Sequence, residues 1–225
     1  MNEFISLIPI RRGSKGLKNK NLALLEGIPL YLRAVNQALR ITKKCILNTD
    51  IKEVLNKKNL NNNIIFFERE KKFAEDHTTM NEVLKDLFSK MDLRDKNIIL
   101  LQATSPLRED FDILNAIKLY KEKKYSMVLS AKKVDSVYIK FGYAKNTKFI
   151  PFKKKYMYNN RQELPEVYSP NGAIYIFSTN DFLRKNKLPD SNIGFYEMSD
   201  ERSIDIDSQD DLIKIKNKLE IFKNK

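Results

Sequence analysis

Arg11, Lys15, Lys18 and Lys20 are interleaved with Gly13, Ser14 and Gly16, directly after the apolar run that ends at Ile8-Pro9-Ile10. Cationic side chains neutralise a polyanion, and glycine, which has no Cβ, lets backbone N–H groups approach it closely. A nucleoside triphosphate is the guest that such a loop suits. The spacing is not that of a Walker loop, because no Gly-Lys-Ser/Thr opens a helix here. A solvated basic turn is the alternative reading of the same residues.

A second signal lies far along the chain, in Ser203-Ile204-Asp205-Ile206-Asp207-Ser208. In an extended segment, side chains two residues apart point the same way. Asp205 and Asp207 would then share one face, and Ile204 and Ile206 the other. Two like charges at that spacing repel unless a cation lies near them. Hard oxygen ligands beside a phosphate substrate favour Mg²⁺, which combines one or two carboxylates with phosphate oxygens and water. The competing assignment has Asp207 helping to cap the last helix and Asp205 in water.

The third signal is Gln102-Ala103-Thr104-Ser105-Pro106-Leu107-Arg108, which places an amide, two hydroxyls and an arginine directly after an apolar run. Such donors and acceptors suit a polyhydroxylated ligand, and Pro106 stiffens the turn; a purely structural turn is the alternative. Arg161-Gln162-Glu163-Leu164-Pro165 and Asn171-Gly172 add another arginine and a tight backbone approach. The single histidine, His77, reads as a loop residue. The single cysteine, Cys45, starts an apolar run and reads as a buried small hydrophobe.

These residues need elements to position them. Phe4–Ile10, Cys45–Asn48, Ile64–Phe67, Asn97–Leu101 and Ser126–Ala131 read as strands, alternating with amphipathic helices over Leu30–Ile41, the segment after Thr79, and Asp110–Lys123. Thr79 with Glu82 is a capping-box pattern. This alternation predicts an α/β fold with a mostly parallel sheet, whose ligands bind beyond the carboxyl ends of the strands. From about Val134 to Pro170 the rhythm breaks into a stretch rich in Tyr and Phe, read as an excursion such as a β-hairpin arm or a dimerisation element. Gly172–Phe177 restores a strand, Thr179 caps a short helix, and Ile193–Met198 is the last strand. Ser208 with Asp211 caps the final helix.

The 225 residues suffice for one domain with a real core. The net charge of +13 raises nucleic acid as a partner, but the lysines are dispersed and no aromatic interrupts Arg11–Lys20, which argues against a nucleic-acid surface. No apolar stretch approaches the roughly 18–20 residues of a membrane span. The absence of a secretory signal and the single cysteine predict a cytoplasmic protein without membrane association.

Taken together and in order, these segments resemble the CMP-acylneuraminate synthetase family, the cytidylyltransferases that activate sialic acids and related nonulosonic acids. The resemblance covers nearly the whole chain and rests on the Arg11–Gly16 loop with Lys20-Asn21, Asn48-Thr49-Asp50, Arg69 with Asp76, Gln102–Arg108, Arg161–Pro165, Asn171–Ile176 and Ser203–Asp207. It implies a three-layer Rossmann-like nucleotidyltransferase fold in a single domain over 1–225. Residues 134–170 would form an arm that reaches the partner's site in a homodimer. It implies CTP and a nonulosonic acid as substrates and Mg²⁺ as cofactor. Arg11, Ser14, Lys15, Lys20, Asn21 and Arg69 would hold the nucleotide. Gln102, Ser105, Lys140 and Arg161 would serve the sugar acid, Lys140 in trans and Arg161 at its carboxylate. Asp205 and Asp207 would bind the metal, with Arg11, Lys15 and Asp207 closest to the chemistry. Transfer to another acid sugar such as 3-deoxy-manno-octulosonic acid, or a basic nucleotide- or RNA-binding protein without catalysis, is the alternative. The chain departs from the family pattern at Arg12, where glycine is usual, at Ala103, where proline is usual, and at Asn48, where serine is usual.

Overall fold

The computed structural model describes residues 3–13, 16–57 and 61–223. In chain order the elements are β1 (Glu3–Pro9), β2 (Leu24–Leu25), β3 (Ile28–Pro29), α1 (Leu30–Ile41), β4 (Cys45–Thr49), α2 (Lys52–Leu55), β5 (Ile64–Glu68), α3 (Met80–Lys90) and β6 (Lys96–Leu101). There follow α4 (Asp110–Lys123), β7 (Met127–Val134), β8 (Gly142–Lys145), β9 (Lys148–Pro151), β10 (Val167–Ser178), α5 (Thr179–Lys185), β11 (Ile193–Glu197) and α6 (Gln209–Lys223).

Seven strands make one sheet in the order β11-β7-β10-β6-β1-β4-β5. Every neighbouring pair is parallel except those made by β10, which runs antiparallel to both β6 and β7. The expected α/β architecture is therefore present, with one reversed strand that apolar patterning alone could not orient.

Strands buried on both faces read as unbroken apolar runs, because each side chain meets a helical layer whichever way it points. In β6, Ile99 and Leu101 join Tyr31, Val35 and Ala38 of α1 and Ile113 of α4 in one core. Ile98 and Leu100 join Leu84, Leu87 and Phe88 of α3 in the other. A third, smaller cluster holds Leu25 and Leu30 against Ile206 and the Leu212 and Ile215 face of α6.

The caps behave as their sequence suggests, with one exception. Thr79 Oγ1 accepts the Glu82 amide at 3.3 Å while Glu82 Oε2 accepts the Thr79 amide at 2.6 Å. Ser208 and Asp211 exchange the same bonds at 3.2 and 2.9 Å. Thr179, expected to cap α5, is instead its first residue. Its hydroxyl donates to the Lys96 carbonyl at 3.0 Å and accepts the Lys96 amide at 3.2 Å, docking α5 on β6.

The excursion between β7 and β10 contains the antiparallel hairpin β8–β9. Tyr143, Phe149 and Phe152 stand exposed on it. Strand β10 begins at Val167, five residues before the expected Gly172, and its pairing with β7 slips between Pro170 and Tyr175. Among the described residues, no helix is long and apolar enough to cross a membrane.

Candidate active site

Strands β1, β4, β5 and β6 end at one rim of the sheet, and the segments leaving β1, β5 and β6 line an open cleft of about 570 Å³. Its walls include Arg11, Gly16, Lys20 and Asn21 after β1, Arg69 after β5, and Gln102 and Thr104 after β6. Asp207, from the C-terminal segment, completes it. Side chains far apart in sequence meet because every parallel strand delivers its following loop to the same edge.

The loop after β1 is fastened at several points. Arg11 donates from Nη2 to Asp76 Oδ1 at 2.6 Å and from Nη1 to the Ala74 carbonyl at 3.1 Å. Asn21 Nδ2 donates to the Arg11 carbonyl at 3.0 Å. The Arg12 amide donates to Asp50 Oδ1 at 2.9 Å, and its guanidinium pairs with Glu53 of α2. The unusual arginine is thus an external tether that points out of the cleft. Gly16 lies against the Asp207 main chain so closely that a Cβ there would overlap the Asp207 carbonyl oxygen. Ser14 and Lys15, both expected at the phosphates, lie outside the described residues.

Arg69 is 5 % exposed. It donates from Nε to Asn48 Oδ1 at 2.5 Å and from Nη2 to the Asn48 carbonyl at 3.3 Å. Burial pushes its guanidinium pKa down to about 10, against the opposing pull of Asp50, so it is still a cation at neutral pH. The departure at Asn48 is therefore a holder for Arg69: the longer side chain reaches a guanidinium nitrogen.

Gln102 is set by two backbone devices. Arg108 is buried and donates from Nη1 to the carbonyls of Gln102 at 3.1 Å and Ala173 at 2.7 Å, and from Nε to Gln37 Oε1 at 3.0 Å. Gly172, at φ +77°, sits under the Gln102 amide where only glycine is unstrained. Asn171 pins this bulge by donating to Ser203 Oγ at 2.8 Å and accepting from Ser130 Oγ at 2.5 Å. Arg108, which the sequence offered to a ligand, is a structural anchor instead. Desolvation lowers its pKa to about 10.

The two aspartates differ more than their spacing suggested. Ile206 is fully buried, and Ile204 packs on the same cluster, as alternation required. Burying one isoleucine contributes about 1.5–3 kcal/mol, and the Ile206 amide donates to the Thr104 carbonyl at 2.9 Å, so the segment is tied to the loop after β6 without a ladder. Asp207 reaches the cleft, with a side chain 75 % exposed and Oδ1 2.7 Å from Lys20 Nζ. Asp205 sits deeper. Its Oδ1 is buried without a hydrogen-bond partner, and burial, opposed by a Thr104 hydrogen bond and reinforced by Asp207, raises its pKa. An orphaned carboxylate oxygen beside a second carboxylate fits a hard divalent cation such as Mg²⁺. No group of three or more His, Cys, Asp or Glu residues able to hold a metal occurs among the described residues. The pair would therefore share an ion with phosphate oxygens and water.

Three expected substrate residues lie elsewhere. Ser105 is 2 % exposed and lines a neighbouring cavity of about 560 Å³ with Arg33, Gln37 and Arg40. Lys140 and Arg161 belong to the excursion: Lys140 Nζ donates to the Asn159 carbonyl at 2.6 Å, and Arg161 pairs with Asp135 at 2.7 Å. Neither lines the cleft of its own chain. His77 is exposed beside Glu75. Sequence reasoning missed the Gly16–Asp207 packing and the role of Asn48; the glycine and the departure from serine were the available signals.

In fold, the chain is an α/β protein built on a mostly parallel sheet. It superimposes on CMP:2-keto-3-deoxy-manno-octonic acid synthetase complexed with CTP (TM-score 0.70, 16 % identity, 96 % of this chain and 98 % of that one). It also superimposes on 4-diphosphocytidyl-2C-methyl-D-erythritol synthase from Anaerococcus prevotii (TM-score 0.67, 15 % identity, 97 % and 96 %). Residues 5–224 match the profile of the family described as Cytidylyltransferase, and the chain belongs to that family. It is 33 % identical over 221 residues to the N-acylneuraminate cytidylyltransferase of Streptococcus agalactiae serotype V, covering 94 % of this chain and 52 % of that protein. The chain thus spans about half the length of these streptococcal relatives. It is 29 % identical to the CMP-N,N'-diacetyllegionaminic acid synthase of Campylobacter jejuni (96 % and 97 % covered) and 27 % identical to the post-translational flagellin modification protein B of Campylobacter coli (96 % and 97 %).

Proposed function

We propose that this chain transfers CMP from CTP to the anomeric hydroxyl of a sialic acid or related nonulosonic acid, releasing pyrophosphate. The observation that carries the reading is the junction of the two distant signals. The basic loop after β1 and the Asp205/Asp207 segment form one wall, with Lys20 against Asp207. Family membership and full-length similarity to a legionaminic acid synthase support the substrate class.

The sugar hydroxyl oxygen attacks the α-phosphorus, the bond to the bridging oxygen of the pyrophosphate breaks, and the hydroxyl proton passes to water. The chain's residues position and neutralise rather than form bonds. Arg69, rigid on Asn48, and Lys20 face the polyphosphate with the basic loop, while Gln102, fixed from behind by Arg108 and Gly172, addresses the sugar. Asp205 and Asp207 would hold Mg²⁺, which when bound would supply charge neutralisation on phosphate oxygens. Arg161 and Lys140, absent from the cleft of their own chain, reach the sugar acid from a second copy, so the working unit is a homodimer. A CTP-dependent reaction and a lone cysteine support a cytoplasmic location, and the dispersed lysines support small-molecule substrates over nucleic acid.

The test is pyrophosphate release with Mg²⁺, each nucleoside triphosphate in turn, and a panel of nonulosonic acids plus 3-deoxy-manno-octulosonic acid. Release with CTP and a nonulosonic acid is expected, and Asp207→Asn should abolish it in a protein that still folds, its melting temperature lowered modestly by loss of the partner of Lys20. Release with the octulosonic acid alone would reassign the sugar. No release with any pair would refute the reading.

A further inference from the structure

Lys20 and Asp207 make an unequal pair. The lysine side chain is 17 % exposed and that of Asp207 is 75 % exposed, with 2.7 Å between Nζ and Oδ1. Lys20 opens a short 3₁₀ turn, Lys20–Leu22, directly after Asn19 in the left-handed region at φ 54°. Asn21, the next residue, is fastened to the Arg11 carbonyl. The stem of Lys20 is thus set by backbone and lies along the cleft wall. With its stem covered along the cleft wall, the Lys20 ammonium is partly desolvated and gains from a neighbouring anion, and Asp207 is that anion. Beside it, Asp205 Oδ1 is buried and has no hydrogen-bond partner. Arg11, by contrast, is already engaged by Asp76 and by the Ala74 and Gly13 carbonyls.

The geometry points to Lys20 as an exchangeable counter-ion: it neutralises Asp207 in the ligand-free protein and passes to the triphosphate when a divalent cation takes that carboxylate. The inference rests on the cytidylyl-transfer reading and adds a consequence to it. A divalent ion arriving alone must compete with the Lys20 ammonium for Asp207 and leave that partly covered cation without its close ion pair, so it binds weakly. A nucleotide arriving with the ion gives Lys20 a new partner. Each ligand therefore strengthens the other, and by linkage the gain is the same in both directions. Lys20 makes the site select a metal–nucleotide complex over free metal.

The experiment uses nucleotide-free protein titrated with Mn²⁺, with free ion followed by electron paramagnetic resonance. Lys20→Met keeps the apolar stem and removes the charge. It should bind Mn²⁺ about tenfold more tightly than wild type, and CTP should strengthen Mn²⁺ binding about tenfold in wild type but hardly in the variant, within the usual range of coupling between sites. Lys20→Arg, which keeps a cation, should restore weak binding. Should Lys20→Met fold poorly, acetic anhydride labelling of the wild type gives the same information. Mn²⁺ alone should raise the reactivity of Lys20, and Mn²⁺ with CTP should suppress it again. Unchanged or weaker Mn²⁺ binding in Lys20→Met, or labelling indifferent to saturating Mn²⁺, overturns the inference. Tighter Mn²⁺ binding in the variant with no response to CTP in either protein would refute the nucleotide reading while the counter-ion role stands. CTP turnover with unaltered Mn²⁺ affinity would refute the counter-ion role alone.

Discussion

Gly16→Ala is the sharpest perturbation of the site, because it adds one methyl group at the seam between its two halves. A Cβ at residue 16 would overlap the carbonyl oxygen of Asp207 and lie 3.2 Å from its carbonyl carbon. Both neighbours are backbone, so no rotamer change can relieve the clash. The loop after β1 and the Asp207 segment must separate by about 1 Å, and a misplacement of that size in a catalytic constellation costs on the order of 10²-fold in rate. That corresponds to about 2.7 kcal/mol of lost transition-state stabilisation. Overpacking itself costs about 1–3 kcal/mol of stability, and each kcal/mol lowers Tm by roughly 2–4 °C in a chain of this size. Ile206 holds the Asp207 segment from the other side in the third cluster, so the displacement should fall mainly on the loop. The assay is pyrophosphate release under varied CTP, paired with a thermal melt. A fall of about 10²-fold in kcat/KM with a modest drop in Tm is expected. Wild-type kcat/KM in a folded Gly16→Ala protein would falsify the claim that the loop and Asp207 act as one wall.

Arg161→Ala should raise the KM for the sugar acid by about 10–100-fold, the worth of a charged hydrogen bond, while leaving the CTP KM nearly unchanged; equal effects on both would remove it from the carboxylate. Asp110→Asn should lower stability at pH 7 by about 0.5–1 kcal/mol, a figure kept small because both it and Arg40 are partly exposed. Arg40 is the main reason the Asp110 carboxyl lies below its ordinary range. Its contribution is therefore present above about pH 4 and lost as pH falls through the lowered folded value, so the Tm gap between variant and wild type should close in acid. A gap independent of pH would contradict the ion pair. Burial pushes the Cys45 thiol up to about 12. Iodoacetamide at pH 8 should leave it unmodified in the native protein and label it only at the rate of unfolding; rapid native labelling would mean that β4 is not closed as described.

What the sequence determined by itself was set by local physics. Unbroken apolar runs such as Asn97–Leu101 mark strands covered on both faces, and the period of Leu30–Ile41 marks a helix whose observed ends coincide with the expected ones. Thr79 with Glu82 and Ser208 with Asp211 are short-range capping signals, readable because both partners lie within one turn. The ordered motifs also sufficed to point to the family. The tertiary structure decided whatever depends on residues distant in the chain. Apolar content does not encode direction, so only the assembled sheet shows β10 antiparallel. An arginine after a strand looks alike whether it faces a ligand or the core; burial and three acceptors made Arg108 an anchor, while a single asparagine made Arg69 a wall of the cleft. The equal aspartates of the sequence became unequal because Ile206 and the packing of Gly16 sink one carboxylate and leave the other in reach of Lys20.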